Sequence, residues 1–232
     1  MPLFYFDSTY ILIVIGMIVS LMASAKLQRT FSKYSGVFSK SGLTGQQTAE
    51  LILERNGLSH VRVVPIAGQL TDHYNPANKT LALSESVYNK RSLAAVCVAA
   101  HECGHAVQDK TAYAPFNLRS AIVPTVNIGQ AISIPILIIG AIIGSYNLLV
   151  PIGIMLFSFT LIFQLVTLPV EYNASSRALD MLAGYQILAP DEIKGGQKVL
   201  SAAALTYVAG VFASLMSLLR IILIFGGGRN RD

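Results

Sequence analysis

Four long apolar runs punctuate the chain, at residues 8–25, 120–144, 148–170 and 205–225. The first would be about 27 Å long as a helix, close to the thickness of a bilayer core. The second and third are joined by the short stretch Ser145-Tyr146-Asn147 and predict a transmembrane hairpin, with Pro124, Pro135 and Pro151 as expected bends. The last run contains Arg220 and leads into Gly226-Gly227-Gly228-Arg229-Asn230-Arg231. It reads either as a fourth span or as an interfacial helix with Arg220 reaching toward water.

Between the first and second runs the pattern is mixed. Thr44-Gly45-Gln46-Gln47 reads as a capping box and Gly57 as the matching stop, which frames a helix through Leu53 and Arg55. The period then shortens to two. Residues 61–66 and 70–74 predict strands, a turn follows at Asn75-Pro76-Ala77-Asn78, and residues 80–83 predict a third strand. An edge of such a sheet can pair with an extended polypeptide through main-chain hydrogen bonds, or the strands can form a plain structural hairpin. Ser92 opens a helix that runs to Asp109. Asn89-Lys90-Arg91 and Asp109-Lys110 bracket only residues 93–107, with ionisable groups among them. That helix is too short and too polar to span, so it belongs in water or at the interface.

Composition places these runs in a membrane protein: 53% of residues are hydrophobic, 12% are charged, and the mean hydropathy is +0.56. The net charge of +5 is no nucleic-acid signal, because the basic residues flank apolar segments. Asp7 precedes the first run, whereas Lys26, Arg29, Lys33 and Lys40 follow it. That asymmetry predicts an external N-terminus and a cytoplasmic residue 26 onward. It also argues for a retained anchor over a cleaved leader, despite the Ala23-Ser24-Ala25 string. Cys97 and Cys103 fall on different sides of one helix, so no bridge is expected and no oxidising compartment is required. The predicted segments are an N-terminal transmembrane anchor (1–26), a cytoplasmic module that carries the helix from Ser92 (27–112), the transmembrane hairpin (113–170), a second cytoplasmic segment with a helix from Glu171 (171–200) and a C-terminal transmembrane or interfacial helix with its tail (201–232).

The chemistry gathers at Ala99-Ala100-His101-Glu102-Cys103-Gly104-His105-Ala106-Val107. Positions i and i+4 of a helix share a face, so His101 and His105 can aim both imidazoles at one divalent cation. Glu102 then stands where a general base is wanted. Buried imidazoles and a carboxylate are costly without a partner, and a cation is the simplest one. A catalytic zinc usually has three protein ligands. The remaining candidates are His60, Asp72, His73, Glu171 and Asp180. Spacing favours Glu171, because Ala174, Ser175 and Ala178 share its face and would permit close helix approach. Asp180 lies about 180° around from it. Glu171 is expected to open a new polar helix, and a carboxylate merely reaching toward lipid headgroups is its plainer reading.

Three strings carry a resemblance: Asp72-His73-Tyr74-Asn75-Pro76, Ala99 to Gln108 around the paired histidines, and Pro169-Val170-Glu171-Tyr172-Asn173-Ala174-Ser175. Together they resemble the YugP-like family of bacterial membrane zinc metallopeptidases. The third string is more distantly similar to the E-(F/Y)-x-A-D element of HtpX-type and CAAX prenyl proteases. There the Glu is the third zinc ligand, a role that by analogy falls on Glu171. Ser175 stands where that distant pattern has Asp, and its hydroxyl could still orient a histidine.

The expected architecture is a mostly α membrane protein with about four transmembrane helices and a small cytoplasmic α+β zincin-like module, a short sheet plus the motif helix. The expected activity is zinc-dependent endopeptidase cleavage of membrane-associated or unfolded polypeptides. One catalytic Zn2+ would sit on His101, His105 and Glu171, with Glu102 as general base. His73, Tyr172 and Arg177 are candidates for stabilising the oxyanion or contacting substrate. The expected partners are polypeptide substrate and the lipid bilayer, with no nucleic acid; the expected location is the bacterial cell membrane, multi-pass. Two rivals remain: an intramembrane metalloprotease that takes a distant Asp such as Asp180, and a non-catalytic membrane protein with a structural zinc.

Overall fold

The computed structural model describes residues 8–144, 146 and 148–226. Asp7, Ser145 and Asn147 of the predicted hairpin loop, and the tail with Arg229 and Arg231 lie outside the described residues. In chain order the elements are α1 (Tyr10–Ser35), α2 (Gly45–Arg55), β1 (Arg62–Ile66), β2 (His73–Asn75), β3 (Thr80–Ser84), α3 (Leu93–Lys110), α4 (Ala114–Ile142), α5 (Leu149–Gly184) and α6 (Pro190–Gly226). Four of them, α1, α4, α5 and α6, are long and apolar enough to cross a membrane. The molecule is a mostly α membrane protein with one small sheet.

Each of those helices outruns its apolar segment. α1 continues to Ser35 rather than ending near residue 25, because its basic extension holds no Gly or Pro before Gly36. Glu171 does not open a new helix: it lies inside α5, which runs unbroken to Gly184. Polarity changes there, but nothing interrupts the backbone ladder. Pro151 falls in the first turn of α5, where its missing N–H has no helical partner, so it need not bend the chain. The internal prolines are Pro124 and Pro135 of α4 and Pro169 of α5. α6 starts at Pro190 instead of residue 205, and Asp191 and Glu192 favour its positive end. Glu192 also accepts a hydrogen bond from the Ala189 N–H at 2.8 Å.

The chain divides into two compact units. The first comprises Met1–Ser24, Leu118–Thr167 and Thr206–Asp232, the apolar lengths of all four long helices. Its surface carries large apolar side chains such as Met22, Ile128, Ile139 and Leu223. Helices meet there across small residues: a Cβ on Gly16 would lie 3.1 Å from the Ala213 Cα, and one on Gly153 would lie 2.5 Å from Leu137 Cγ. Hydroxyls turn back on their own helix, as Thr167 does to the Phe163 carbonyl and Ser217 to Ala213.

The second unit comprises Ala25–Asn117 and Leu168–Leu205 and has an ordinary buried core. β3 is the middle strand of a three-stranded sheet ordered β1-β3-β2. It pairs in parallel with β1 (Val63 opposite Leu81) and antiparallel with β2 (His73 opposite Ala82). Leu81 and Leu83 are wholly buried, together with Ile52 and Leu53 of α2 and Val96 of α3. The capping box of α2 is present: Thr44 accepts from the Gln47 N–H, and Gln47 accepts from the Thr44 N–H. Gly57 follows with φ +64°. The predicted strand over 70–74 is shorter than expected and begins at His73. Gly68 and Leu70 both take positive φ, and Asp72 uses its carboxylate to bind the Ser84 N–H and hydroxyl. That side-chain pairing replaces a ladder bond.

Candidate metal centre

α3 is the axis of the site. Ser92 caps it by accepting from the Ala95 N–H at 3.2 Å, and nearly every residue from Leu93 to Gln108 is buried. Gly104 decides how near α5 can come. A Cβ there would lie 2.5 Å from the carbonyl oxygen of Ala174, so only glycine permits the approach. Ala174 and Ala178 are themselves wholly buried. These small residues place Glu171 of α5 over the histidines of α3.

The Glu171 Oε2 lies 3.2 Å from His101 Nε2 and 3.6 Å from His105 Nε2. One ligand atom from each of the three residues fits within 4.8 Å of the others. Donors held about 2.0–2.2 Å from a tetrahedral ion stand roughly 3.3–3.6 Å apart, so the two carboxylate-to-imidazole spacings match such an ion. The far sides of the rings are engaged too. His105 Nδ1 is 3.0 Å from Gln108 Oε1, and His101 Nδ1 is 3.2 Å from Ser175 Oγ. Gln108 spends its amide N–H groups on the Val170 carbonyl (2.8 Å) and on Asn173 Oδ1 (3.0 Å), so its oxygen must accept from His105. With its Nδ1–H donating outward to Gln108, His105 presents an Nε2 lone pair inward, and His101 does the same in the tautomer whose Nδ1–H donates to Ser175 Oγ. Two such lone pairs and a carboxylate oxygen converge on one point. A cation is the group this donor set fits.

Glu102 is buried beside His101. Burial pushes its carboxyl up to about 7; His101 works against that rise, while the Glu171 and Asp72 carboxylates add to it. Cys103 faces away from the histidines, with its Sγ 3.6 Å from the Ala49 carbonyl, and burial raises its thiol well above the usual range. It is no ligand. Cys97 and Cys103 are both free.

The remaining predicted residues separate. His73 is exposed on β2, with Nδ1 2.9 Å from the Thr71 carbonyl. Tyr172 is half exposed, next to Glu171 on α5. Arg177 gives its Nε–H to Asn173 Oδ1 at 2.8 Å, and its guanidinium lies 5.9 Å from the centre of the Tyr113 ring. It therefore joins the chain Arg177–Asn173–Gln108–His105 and can steady His105 from a distance. Asp180 is exposed and His60 is not among the clustered ligands. Gln108 and Asn173 were singled out by no motif argument. Gln108 stands three residues after His105 and seven after His101, on the same helical face, and that spacing was the available signal.

Over residues 9–226 the chain matches the family described as "putative neutral zinc metallopeptidase". The chain belongs to this family. This family member is also 46% identical over 214 residues to the "Putative membrane protease YugP" of Bacillus subtilis (strain 168), a match covering 92% of this chain and 95% of that protein. No solved structure matches it.

Proposed function

We propose that the protein is a zinc-dependent metalloendopeptidase in which His101, His105 and Glu171 hold the ion and Glu102 is the general base. The observation that carries the reading is the convergence of two Nε2 lone pairs and the Glu171 carboxylate, with both Nδ1 atoms engaged behind them. Zinc held there would lower the pKa of a water to about 7 and polarise the scissile carbonyl. Glu102 is the residue that would take up the proton released in such a hydrolysis and give it back to the leaving amine. Ser175 and Gln108 fix the ring orientations, and Arg177 supports Gln108 through Asn173. β2 is an edge strand by sheet order, and an extended substrate could add to it beside Glu102. His73, on β2 itself, is the group proposed to meet developing negative charge on such a substrate.

The substrates proposed are membrane-associated or unfolded polypeptides, and the catalytic part is placed on the cytoplasmic side. Support comes from Lys26, Arg29, Lys33 and Lys40 following the first span. Four alternating crossings would also put 25–117 and 168–205 on one side. α3 is not among the four helices apolar enough to span, which argues against chemistry at mid-bilayer depth. The test pairs two variants. Glu102→Gln should retain zinc and lose about 10²–10⁴-fold in cleavage of an unfolded polypeptide. Glu171→Ala should lose bound zinc itself. Parental cleavage by Glu102→Gln would rule out Glu102 as the general base, and an unchanged zinc content in Glu171→Ala would point to another ligand.

A further inference from the structure

A second polar feature of the second unit lies outside the metal centre. A cavity of about 720 Å³ is lined by Lys26, Arg29, Lys33 and Tyr34 of α1 and by Lys194 and Lys198 of α6. Every charged residue on its wall is a cation, and none of the five makes an ion pair among the described residues. Lys26, Arg29 and Lys33 fall at i, i+3 and i+7, and Lys194 and Lys198 at i and i+4, so each helix presents a basic stripe. Like charges at these spacings repel, and two stripes brought to one cavity repel further. An anion removes that penalty.

α1 and α6 pack closely beside the cavity. A Cβ on Gly195 would lie 3.0 Å from the Tyr34 ring and 2.6 Å from Leu93 Cδ2, so α6 meets α1 across a glycine. Thr30 and Ser201 also line the wall, and the Thr30 hydroxyl donates to the Lys26 carbonyl at 2.7 Å, which leaves the cations as the groups that meet an anion. The position along the chain names the source of the anion. Lys26 comes two residues after Ser24, where the apolar length of α1 ends, and Ser201 comes shortly before Thr206, where that of α6 begins. Both walls therefore continue directly into lipid-facing helix.

We propose that this cavity binds the phosphate headgroup of an acidic phospholipid. Arginine and lysine grip phosphate oxygens through charge-assisted hydrogen bonds, and basic pockets beside membrane helices are suited to such headgroups.

The experiment uses the full chain in detergent, titrated with short-chain phosphatidylglycerol or phosphatidylcholine while bound lipid is counted by native mass spectrometry. The parent should hold phosphatidylglycerol at least about tenfold more tightly than phosphatidylcholine, as several cations near one phosphate imply. The triple variant Lys33→Gln/Lys194→Gln/Lys198→Gln should lose that preference with its bound zinc and thermal midpoint unchanged. Arg62→Gln/Lys90→Gln/Arg91→Gln removes equal charge elsewhere and should keep it. Should the triple variant fail to fold, Lys198→Gln alone should still weaken phosphatidylglycerol about threefold or more, and no change there overturns the site. Equal loss in the control triple would reduce the effect to net charge and overturn the site. Release of phosphatidylglycerol by equimolar inorganic phosphate would assign the cavity to a free anion and overturn the lipid.

Discussion

The two units solve opposite solvation problems with the same helices. In the unit of residues 25–117 and 168–205, Leu81, Leu83, Ile52 and Val96 are buried, and few large apolar side chains, such as Phe38 and Tyr172, reach the surface. In the unit of apolar lengths, Ile11, Met22, Ile128, Ile139 and Leu223 are all exposed. Water drives the first arrangement; lipid makes the second harmless, since acyl chains are as apolar as leucine. Polar groups diverge in the same way. Ser20, Ser133, Ser158, Thr167 and Ser217 bond carbonyls of their own helices. Gln108 instead links residues more than sixty positions away, and Tyr74 reaches Asp109. A site built from several elements needs such long-range bonds, and Gln108 supplies two of them.

The contrast can be broken most directly in the cores. Leu81→Ala should cost about 2–5 kcal/mol, because it opens a cavity in the sheet's buried face. Ile139→Ala, on the exposed surface of α4, should cost under about 1 kcal/mol in the same detergent. Comparable losses in chemical denaturation would mean that the first unit too has a water-driven core. The glycines sharpen the point at smaller scale. Gly104→Ala should destabilise by about 1–3 kcal/mol and lower zinc content, since the Ala174 backbone cannot yield. Gly210→Ala of α6 meets nothing within 4 Å and should stabilise by roughly 0.5–1 kcal/mol. Thermal midpoints of the two variants moving in the same direction would contradict this.

The polar network offers a subtler test. Gln108→Leu keeps the volume but leaves His105 Nδ1 without its acceptor and Asn173 Oδ1 with Arg177 alone, so zinc affinity should fall about 10–100-fold. Ser175→Ala removes one bond to His101 and should cost about tenfold, the smallest effect on the metal. Isothermal titration with zinc after chelation reads both. A loss from Ser175→Ala that exceeds that of Gln108→Leu would reverse the importance assigned to the two histidine supports.

Local signals were legible wherever a residue type answers to its immediate neighbours. The capping box at Thr44 and Gln47, the stop at Gly57, the Ser92 cap and the four apolar runs all stand where their patterns lie. The pairing of His101 with His105 could be anticipated because helical spacing is fixed at 3.6 residues per turn. Helix ends were less legible. A change from apolar to polar marks the limit of lipid-facing surface, not of the hydrogen-bond ladder, which is why α5 runs on through Glu171 and α6 begins at Pro190.

Sequence alone determined that this chain has four membrane-length helices and one pair of imidazoles one turn apart, because apolar length and helical period are properties of the backbone and of adjacent side chains. Only the tertiary structure decided which carboxylate meets those imidazoles, that Gln108 and Ser175 hold the far side of each ring, and that five cations from α1 and α6 border one cavity. Those arrangements depend on distances between segments up to about 170 residues apart, which Gly104 and Gly195 set by letting backbones approach and which no local pattern encodes.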